Sequence, residues 1–320
     1  MLTRKLIADV GNSTCSHDIY FCDSCKVGVI APFPSEEALT RLYSAGSYRM
    51  AAGRRFNAAV EFFIRLSRML RKRRIEKYAV PGAILDIGCG RGLFLDVMQR
   101  GGWKVTGYEY DPETAANLSA LQGFPVLSGD FALLELPDES FDVITLSHVL
   151  EHVPDPSLMI AESRRLLRKG GLLVVATPNI LSLQGRMGGR SWFHLDVPYH
   201  IHHFSREGLI RLLEGNGFAV KKVRDLDMEH NPFGWLQTLL NLSGVEHNLL
   251  YISLMNPTLR GRAFFRKKKK GLILSLALLP LYVPLAIILA LVESLLRLGG
   301  TVEVHATKQD SVTHDKVNIP

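Results

Sequence analysis

Apolar and polar positions change their spacing in a regular way between residues 82 and 225. Short apolar runs alternate with stretches in which apolar residues recur every three or four positions, the patterns of buried strands and amphipathic helices. The strand-like runs are Ala83–Ile87, Lys104–Tyr108, 125–128, 143–146, 171–176 and Phe218–Arg224. The helix-like stretches are 93–100, 112–121, 156–167 and 205–215. This alternation predicts a doubly wound α/β domain with a parallel sheet and right-handed crossovers.

Residues 49–81 precede this domain and have the pattern of one long amphipathic helix. Its apolar stripe lies among arginines and consists of Phe56, Val60, Phe63, Ile64 and Leu70. Pro81 and Gly82 end the pattern. We expect this basic helix to pack across the mouth of a ligand pocket in the α/β domain.

The net charge is unevenly placed along the chain. The formal charge is +7, from 38 Lys and Arg against 31 Asp and Glu among 320 residues. Seven cations lie beside one apolar run, and without them 38 − 7 = 31 cations equal the acids; they are Arg260, Arg262, Arg266 and Lys267 to Lys270. We therefore expect no nucleic acid partner and a contact with an anionic membrane surface. A second basic cluster, on the 49–81 helix, has two open interpretations: a solvated face or an anionic contact.

A glycine turn follows the first strand of the α/β domain. Residues 85–92 read Leu-Asp-Ile-Gly-Cys-Gly-Arg-Gly, with the acid Asp86 inside the strand and glycines at alternate positions. Glycine lets backbone N–H groups approach a ligand closely. A nicotinamide fingerprint would need Gly-x-Gly-x-x-Gly, whereas the third glycine here is Gly92 and Leu93 follows it. The acid suits a ligand with a positively charged end.

This turn resembles the first motif of the class I S-adenosylmethionine-dependent methyltransferases. Three later stretches resemble further motifs of that family, in the same order. They are the strand that ends at Glu109, the run Gly129-Asp130-Phe131, and the segment 141–153. The resemblance implies a Rossmann-like methyltransferase sheet over 82–225, completed by an antiparallel strand at 301–307.

The same resemblance implies the cofactor, S-adenosyl-L-methionine, and its contacts. The first motif would hold the methionine end, Glu109 the ribose, and Asp130 with Phe131 the adenine. The complete set of implied cofactor residues is Asp86, Gly88, Cys89, Gly90, Gly92, Glu109, Tyr110, Asp130, Phe131 and Ser147.

Histidines are concentrated where a general base is needed. Four lie within residues 191–204, and His148 and His152 follow the fourth strand. Imidazole titrates near neutrality and accepts protons from hydroxyl groups. We expect the base among His148, His152 and His200; the family resemblance favours His200, which lies in a Pro-x-His pattern followed by Phe-Ser. Structural histidines remain an alternative, and so does a metal site made from the loop 191–204, in which no carboxylate stands at an obvious ligand spacing.

Residues 1–48 carry three of the four cysteines. Cys22 and Cys25 form a Cys-x-x-Cys pair, and Cys15 with His17 could complete a tetrahedral structural zinc site. The stretch is similar to the zinc-ribbon-like element of some glycan and small-molecule methyltransferases, although those proteins usually have two full pairs. A metal-free remnant is the alternative. No disulfide framework and no secretory signal is indicated, so we expect the catalytic domain in the cytoplasm.

Residues 226–300 form an apolar insertion, and 301–320 form the last strand and tail. Residues 271–292 contain no charge and would make a helix about 33 Å long, enough to cross a bilayer. Pro280 and Pro284 disfavour a straight helix there. In the family fold the strand at 301–307 must lie on the same side as residue 225, which a single crossing forbids. We therefore expect 271–296 to enter the cytoplasmic leaflet and return as two short helices, with a true span as the alternative.

Together these features predict an enzyme that methylates an oxygen nucleophile at the cytoplasmic face of the membrane. The expected acceptor is a membrane-associated saccharide or lipid-linked glycan. A quinone-type ring or another small molecule is the second candidate. A protein of another class, a non-catalytic membrane adaptor that binds the cofactor, would not depend on the three candidate bases.

Overall fold

The computed structural model describes residues 3–12, 15–35, 37–38, 58–255 and 262–310. The strands are β1 (Thr3–Asn12), β2 (Cys15–Cys22), β3 (Val27–Ala31), β4 (Ala83–Ile87), β5 (Lys104–Tyr108), β6 (Val126–Leu127), β7 (Phe141–Ser147), β8 (Leu167–Pro178), β9 (His202–Phe204), β10 (Phe218–Arg224) and β11 (Thr301–Lys308). The α-helices are α1 (Ala58–Ile75), α2 (Leu93–Gln99), α3 (Pro112–Gln122), α4 (Pro156–Leu166), α5 (Leu183–Gly188), α6 (Arg206–Gly215), α7 (His230–Leu242), α8 (Leu249–Met255) and α9 (Arg262–Leu295).

A seven-stranded sheet forms the centre of the protein, in the order β10-β11-β8-β7-β4-β5-β6. Strand β4 pairs in parallel with β5 on one side and with β7 on the other. Strand β11 is antiparallel to both of its neighbours, β8 and β10. The predicted doubly wound Rossmann-like sheet is confirmed, including its antiparallel last strand.

Both faces of this sheet are covered, which explains the nearly continuous apolar sequence of its strands. Successive side chains of a strand point to opposite faces. Thus Leu85 packs in one core cluster with residues of α4 and α6, whereas Ile84 packs in another with residues of α2 and α3. Helix α1 joins the second cluster through Ile75.

The N-terminal strands form a second, antiparallel sheet in the order β1-β2-β3-β9. Strand β9 belongs to the histidine-rich segment, so the N-terminal region is paired directly with it. Phe21 and Ile30 pack with Trp192 in a shared apolar cluster, and Val27 belongs to the core of the central sheet. Hydrophobic contacts therefore join this region to the rest of the protein.

The predicted zinc site of Cys15, His17, Cys22 and Cys25 is wrong as a single tetrahedral centre. Cys15 and Cys22 are the first and last residues of β2. Seven strand steps of about 3.3 Å separate them, which is far beyond the reach of ligands to one ion. The buried His17 instead has Nδ1 within 3.1 Å of the Pro32 carbonyl oxygen. Cys22 and Cys25 lie at the β2–β3 turn as buried free thiols.

Helix α9 is a single helix that contains both prolines, so the expected pair of bent helices is wrong. Pro280 and Pro284 lie four residues apart on the exposed side, so their rings do not disturb the packed side. That packed side lies against α7 and α8 over most of its length: Ala286 and Ala290 meet Trp235, and Leu272 and Tyr282 join the cluster of Leu240.

Helix α9 from Phe264 to Leu295 is long and apolar enough to cross a membrane. Its C-terminal end leads through Gly299 and Gly300 into β11, which inserts between β8 and β10. The expected position of residues 301–307 beside β10 is therefore confirmed, and entry into the membrane stays a prediction. The opposite face of α9 exposes large apolar side chains, among them Leu281 (62% exposed) and Ile288 (56% exposed).

Candidate active site

A cavity of about 1400 Å³ opens at the carboxyl ends of β4, β5 and β7. Ligands of doubly wound sheets bind at this edge, where neighbouring strands lead to opposite faces. The volume exceeds the roughly 300–1,000 Å³ of an ordinary small-molecule pocket. The cavity therefore has room for a cofactor and an acceptor together.

The glycine turn forms one wall of the cavity. Gly88 and Gly90 have φ angles of 68° and 58°, which side chains rarely adopt. A Cβ on Gly88 would lie 2.4 Å from Cγ2 of Val149, whereas a Cβ on Gly90 would meet no heavy atom within 4 Å. The turn thus leaves room for a ligand above Gly90.

Two carboxylates flank the turn. Gly90 N donates a hydrogen bond of 2.6 Å to Oε1 of Glu109, which is buried at the end of β5. Asp86 is also buried and accepts a hydrogen bond from the Thr145 hydroxyl. Burial raises the pKa of Asp86, and the charge of Arg71 opposes that shift. A bound ammonium group would compensate Asp86, and Glu109 could accept hydroxyl donors.

Helix α1 supplies Arg71 to the same cavity, as expected for a helix across its mouth. Arg71 is 5% exposed, and its guanidinium lies 4.3 Å from the centroid of the Phe94 ring. Its Nε and Nη2 atoms have no hydrogen-bond partner among the described residues. A buried guanidinium with unpaired donors can bind a carboxylate. The residues therefore fit both charged ends of a bound amino-acid group, as S-adenosylmethionine has.

Most of the predicted cofactor residues line the cavity: Asp86, Gly88, Cys89, Gly90, Glu109 and Ser147. Burial raises the pKa of the Cys89 thiol, so this side chain is a packing group and not a nucleophile. Gly92 begins α2 at a φ of 69°. Phe131 packs edge-on against Tyr108 in the core, with ring centroids 5.0 Å apart. Tyr110 and Asp130 are exposed. The adenine contact of Asp130 and Phe131 stays a prediction.

The other half of the cavity contains histidines from three segments. His148 and His152 come from the loop after β7, His194 and His200 from the segment after α5, and His230 from the start of α7. The His148 and His230 rings lie 4.1 Å apart between centroids. Burial lowers the pKa of His148, and His230 lowers it further, so His148 is neutral at pH 7.

His148 has the geometry of an oriented base. Its φ of 55° is unusual for a residue with a side chain and is typical of functional sites. Its Nδ1 faces Oε1 of Glu151 at 3.4 Å, and its buried Nε2 has no hydrogen-bond partner among the described residues. A proton on Nδ1 leaves Nε2 with a lone pair directed away from Glu151.

His152 and His200 lie together with Glu151. Their rings are 4.6 Å apart, and both line the cavity. Burial and His200 lower the pKa of His152 to about 4. By contrast, His202 and His203 are strand residues of β9, paired with Val29 and Gly28.

Four residues of this site were absent from the sequence-based predictions of its chemistry: Arg71, Glu151, Asp227 and His230. Asp227 Oδ1 lies 3.0 Å from His230 Nδ1, and burial alone would lower the pKa of His230, but this carboxylate raises it. Glu151 lies next to His152 in the sequence, which was a usable signal. Asp227 and His230 belong to the apolar insertion, and nothing in its pattern places His230 in the cavity.

Comparisons with known proteins agree on one family. The family model for a methyltransferase domain matches residues 54–223. A protein of Mycolicibacterium smegmatis named "probable S-adenosylmethionine-dependent methyltransferase" is 34% identical over 140 residues, 43% of this chain and 52% of that protein. A ubiquinone biosynthesis O-methyltransferase of Xanthomonas campestris is 40% identical over 111 residues, 32% of this chain and 46% of that protein. The chain thus spans about half the length of these curated relatives.

A solved structure is similar in fold. The protein, from Galdieria sulphuraria and described as a "putative sarcosine dimethylglycine methyltransferase", superimposes with a TM-score of 0.51. It is 14% identical and covers 87% of this chain and 100% of its own. At that identity the likeness concerns the fold alone.

Proposed function

The chain belongs to the methyltransferase domain family, and we propose on that premise that it transfers the methyl group of S-adenosylmethionine to a hydroxyl oxygen. The observation that carries the oxygen acceptor is the arrangement of His148, which lines the cavity that also contains the glycine turn. Its buried Nε2 has no hydrogen-bond partner among the described residues. Nitrogen nucleophiles need no strong base when they are neutral, whereas a hydroxyl must lose its proton during methyl transfer.

Each half of the cavity has its own task. The cofactor, when bound, supplies a methyl group on a positively charged sulfur. Arg71 and Asp86 hold the carboxylate and ammonium of its methionine end, and Glu109 accepts the ribose hydroxyls. His148 Nε2 takes the proton from the acceptor hydroxyl as the new oxygen–carbon bond forms. Glu151 faces the opposite nitrogen and stabilises the imidazolium that results.

The apolar part of the cavity supports an acceptor with a hydrocarbon chain. Phe193 and Phe233 line it near the histidines, and Val283 and Ile287 line it on α9. Ile287 is also 47% exposed, so the cavity wall continues into the outer apolar face of α9. An acceptor whose polar end lies at His148 could place its hydrocarbon chain along this apolar wall.

We therefore propose a lipid-linked saccharide or other membrane-associated glycan as the acceptor. A quinone-type ring is the second candidate. It is favoured by the apolar lining of the cavity and by relatives named as ubiquinone biosynthesis O-methyltransferases. We propose that the enzyme acts at the cytoplasmic face of the membrane, with the exposed side of α9 in the interface and Lys267 to Lys270 near anionic headgroups.

Transfer of labelled methyl groups into fractionated lipids and glycans tests this function. The purified protein is incubated with each fraction and labelled S-adenosylmethionine, beside a His148→Ala variant. We expect the variant to turn over about 10²- to 10⁴-fold more slowly, with unchanged binding of S-adenosylhomocysteine. Equal turnover by both proteins would exclude His148 as the base.

The adaptor alternative gives a different result in the same experiment. A protein that binds S-adenosylhomocysteine but transfers no label into any saccharide, lipid or phenol fraction would be a cofactor-binding adaptor. The distribution of the label would also distinguish the two acceptors, because a lipid-linked glycan and a quinone partition differently after mild acid hydrolysis.

A further inference from the structure

Three side chains converge on one point at the acceptor half of the cavity, and two of them, His152 and His200, line it. Glu151, His152 and His200 each present one possible ligand atom, and these atoms lie within 4.8 Å of one another. Among the residues that the structure describes, these three are the one set of histidine, cysteine or carboxylate side chains close enough to share a metal ion. The sequence did not show it, because Glu151 and His200 are far apart in the chain.

The two imidazoles are held in the tautomer that binds metal. His152 Nδ1 lies 2.9 Å from the Tyr199 carbonyl oxygen, and His200 Nδ1 lies 2.8 Å from the His194 carbonyl oxygen. Since a carbonyl accepts only, each Nδ1 carries the proton and each Nε2 keeps its lone pair. Metal-binding histidines have their second nitrogen fixed by such a bond.

The Glu151 carboxylate is buried without a hydrogen-bond donor among the described residues. It is 1% exposed, and neither of its oxygens has a hydrogen-bond partner among the described residues; His148 faces it at 3.4 Å, long for such a bond. An anion buried in this way destabilises the fold unless a cation or hydrogen-bond donors satisfy it. A cation bound at this point would compensate the carboxylate.

The backbone fixes the arrangement in advance. The carbonyl oxygen of Glu151 accepts hydrogen bonds of 3.0 Å from both Ile201 N and His202 N. These bonds tie the loop after β7 to the histidine segment and keep Glu151 beside His200. Sites of this kind bind metal without a large rearrangement.

We propose that Glu151, His152 and His200 bind one divalent ion of the zinc or iron type, with the remaining coordination positions open to the cavity. Two imidazoles and one carboxylate form the ligand set of catalytic zinc sites and of non-haem iron sites, whereas Mg²⁺ and Ca²⁺ prefer oxygen ligands. The proposal assigns His152 and His200, candidate bases from the sequence, to the metal. His148 remains the base.

The role of this ion rests on the proposed function. The acceptor hydroxyl would bind at an open position, where the ion weakens its O–H bond. The proton passes to His148 Nε2, and the oxygen forms the bond to the methyl carbon as the bond from carbon to sulfur breaks. An acceptor with a second oxygen beside the first, such as a vicinal diol or a catechol, would bind through both.

Metal titration of the chelator-treated full chain tests the site without any turnover. Zn²⁺ binding is followed by calorimetry and Co²⁺ binding by visible absorption. The wild type is compared with His200→Ala and Glu151→Gln, and with a control that removes an exposed histidine elsewhere, His247→Ala. Binding of S-adenosylhomocysteine identifies the variants that are folded.

We expect one ion per chain in the wild type and in His247→Ala. In His200→Ala and Glu151→Gln the affinity should fall by more than about 100-fold, because loss of an outer partner alone costs 10- to 100-fold. Sub-stoichiometric binding to the wild type, or equal affinity in folded variants, would overturn the proposal. So would binding of Mg²⁺ in preference to Zn²⁺ and Co²⁺.

Methyl transfer then tests the role separately. Transfer that stops on chelation and returns with Zn²⁺ or Co²⁺ supports it, and transfer that continues in metal-free protein overturns it. A wild type that binds one ion but methylates no fraction would contradict the proposed function and leave the metal site standing.

Discussion

The amide nitrogen of Gly90 donates a hydrogen bond of 2.6 Å to Oε1 of Glu109, across the cavity edge between β4 and β5. This bond ties the glycine turn to the end of the neighbouring strand. It also holds the carboxylate beside the open space above Gly90, where no heavy atom lies within 4 Å of a hypothetical Cβ. One residue therefore shapes the turn and presents an acceptor to the cavity.

Replacement of Glu109 tests this arrangement. Glu109→Ala removes a charged acceptor for the ribose hydroxyls and releases the turn, so S-adenosylhomocysteine should bind about 10- to 100-fold more weakly. Calorimetry measures the affinity, and Glu214→Ala, on the exposed side of α6, is the control. Unchanged affinity in Glu109→Ala would refute the cofactor assignment.

Substitution of Arg71 tests whether this residue contacts the amino-acid end of the cofactor or its nucleoside end. If its unpaired Nε and Nη2 bind the methionine carboxylate, Arg71→Met should weaken S-adenosylhomocysteine by about 10- to 100-fold. Methylthioadenosine has the same nucleoside but no amino-acid group, so its affinity should not change. Equal losses for both ligands would show that Arg71 acts on the shape of the pocket and not on the carboxylate.

The central sheet was predictable because its local signals agree with one another. The apolar strand Ala83–Ile87 and the glycines after it are short-range features, and β4 forms where they place it. Even β11 could be predicted, since the alternation at 301–307 fits the vacant position beside β10. A fold is predictable from its sequence when the local patterns and the overall architecture agree in this way.

The site was less predictable because it joins distant segments. The convergence of Glu151 with His200 depends on backbone bonds between two loops, and no periodicity encodes them. The prolines of α9 were misjudged for a related reason. A proline weakens a helix locally, but Pro280 and Pro284 lie on the exposed side while α7 and α8 pack on the other and keep the helix intact.

The exposed face of α9 predicts binding to anionic membranes. Leu281 and Ile288 are more than half exposed, a pattern of interfacial helices. Leu281→Ser with Ile288→Ser should reduce co-sedimentation with phosphatidylglycerol vesicles at every salt concentration. Replacing Lys267 to Lys270 by glutamine should weaken binding by about 1 kcal/mol for each charge near the surface, and only at low salt.

Charge-removing substitutions on another face of the protein distinguish membrane binding by α9 from a general effect of net charge. Lys221→Gln with Lys222→Gln removes two exposed cations of β10, which lies in the central sheet. This variant should bind vesicles as the wild type does. If it loses as much binding as the α9 variants do, the attraction is a general effect of net charge, and α9 is not the docking face.

Glu293 predicts a pH dependence of stability at the end of α9. Its side chain is fully buried, and its Oε1 accepts hydrogen bonds of 3.0 Å from Gln184, Asn231 and Gly300. Burial raises the pKa of Glu293 to about 7, although the hydrogen bonds from Gly300 and Gln184 oppose the shift. Because the folded protein holds this proton more tightly than the unfolded chain, its contribution is fully present below pH 4.5 and is lost as the pH rises to about 7.

The substitution Glu293→Gln removes this titration and keeps an oxygen for the three donors. Between pH 4.5 and pH 8, ionisation of the Glu293 carboxyl should lower the free energy of unfolding of the wild type by about 3 kcal/mol. The variant should therefore be more stable than the wild type at pH 8 and nearly equal to it at pH 5. Urea unfolding at both pH values measures the difference, and Glu214→Gln on the exposed side of α6 is the control. The histidines titrate alike in all three proteins and cancel in the comparison. A Glu293→Gln variant whose free energy of unfolding differs from the wild type by the same amount at pH 5 and pH 8 would show that Glu293 stays ionised in the folded protein, held by its three donors.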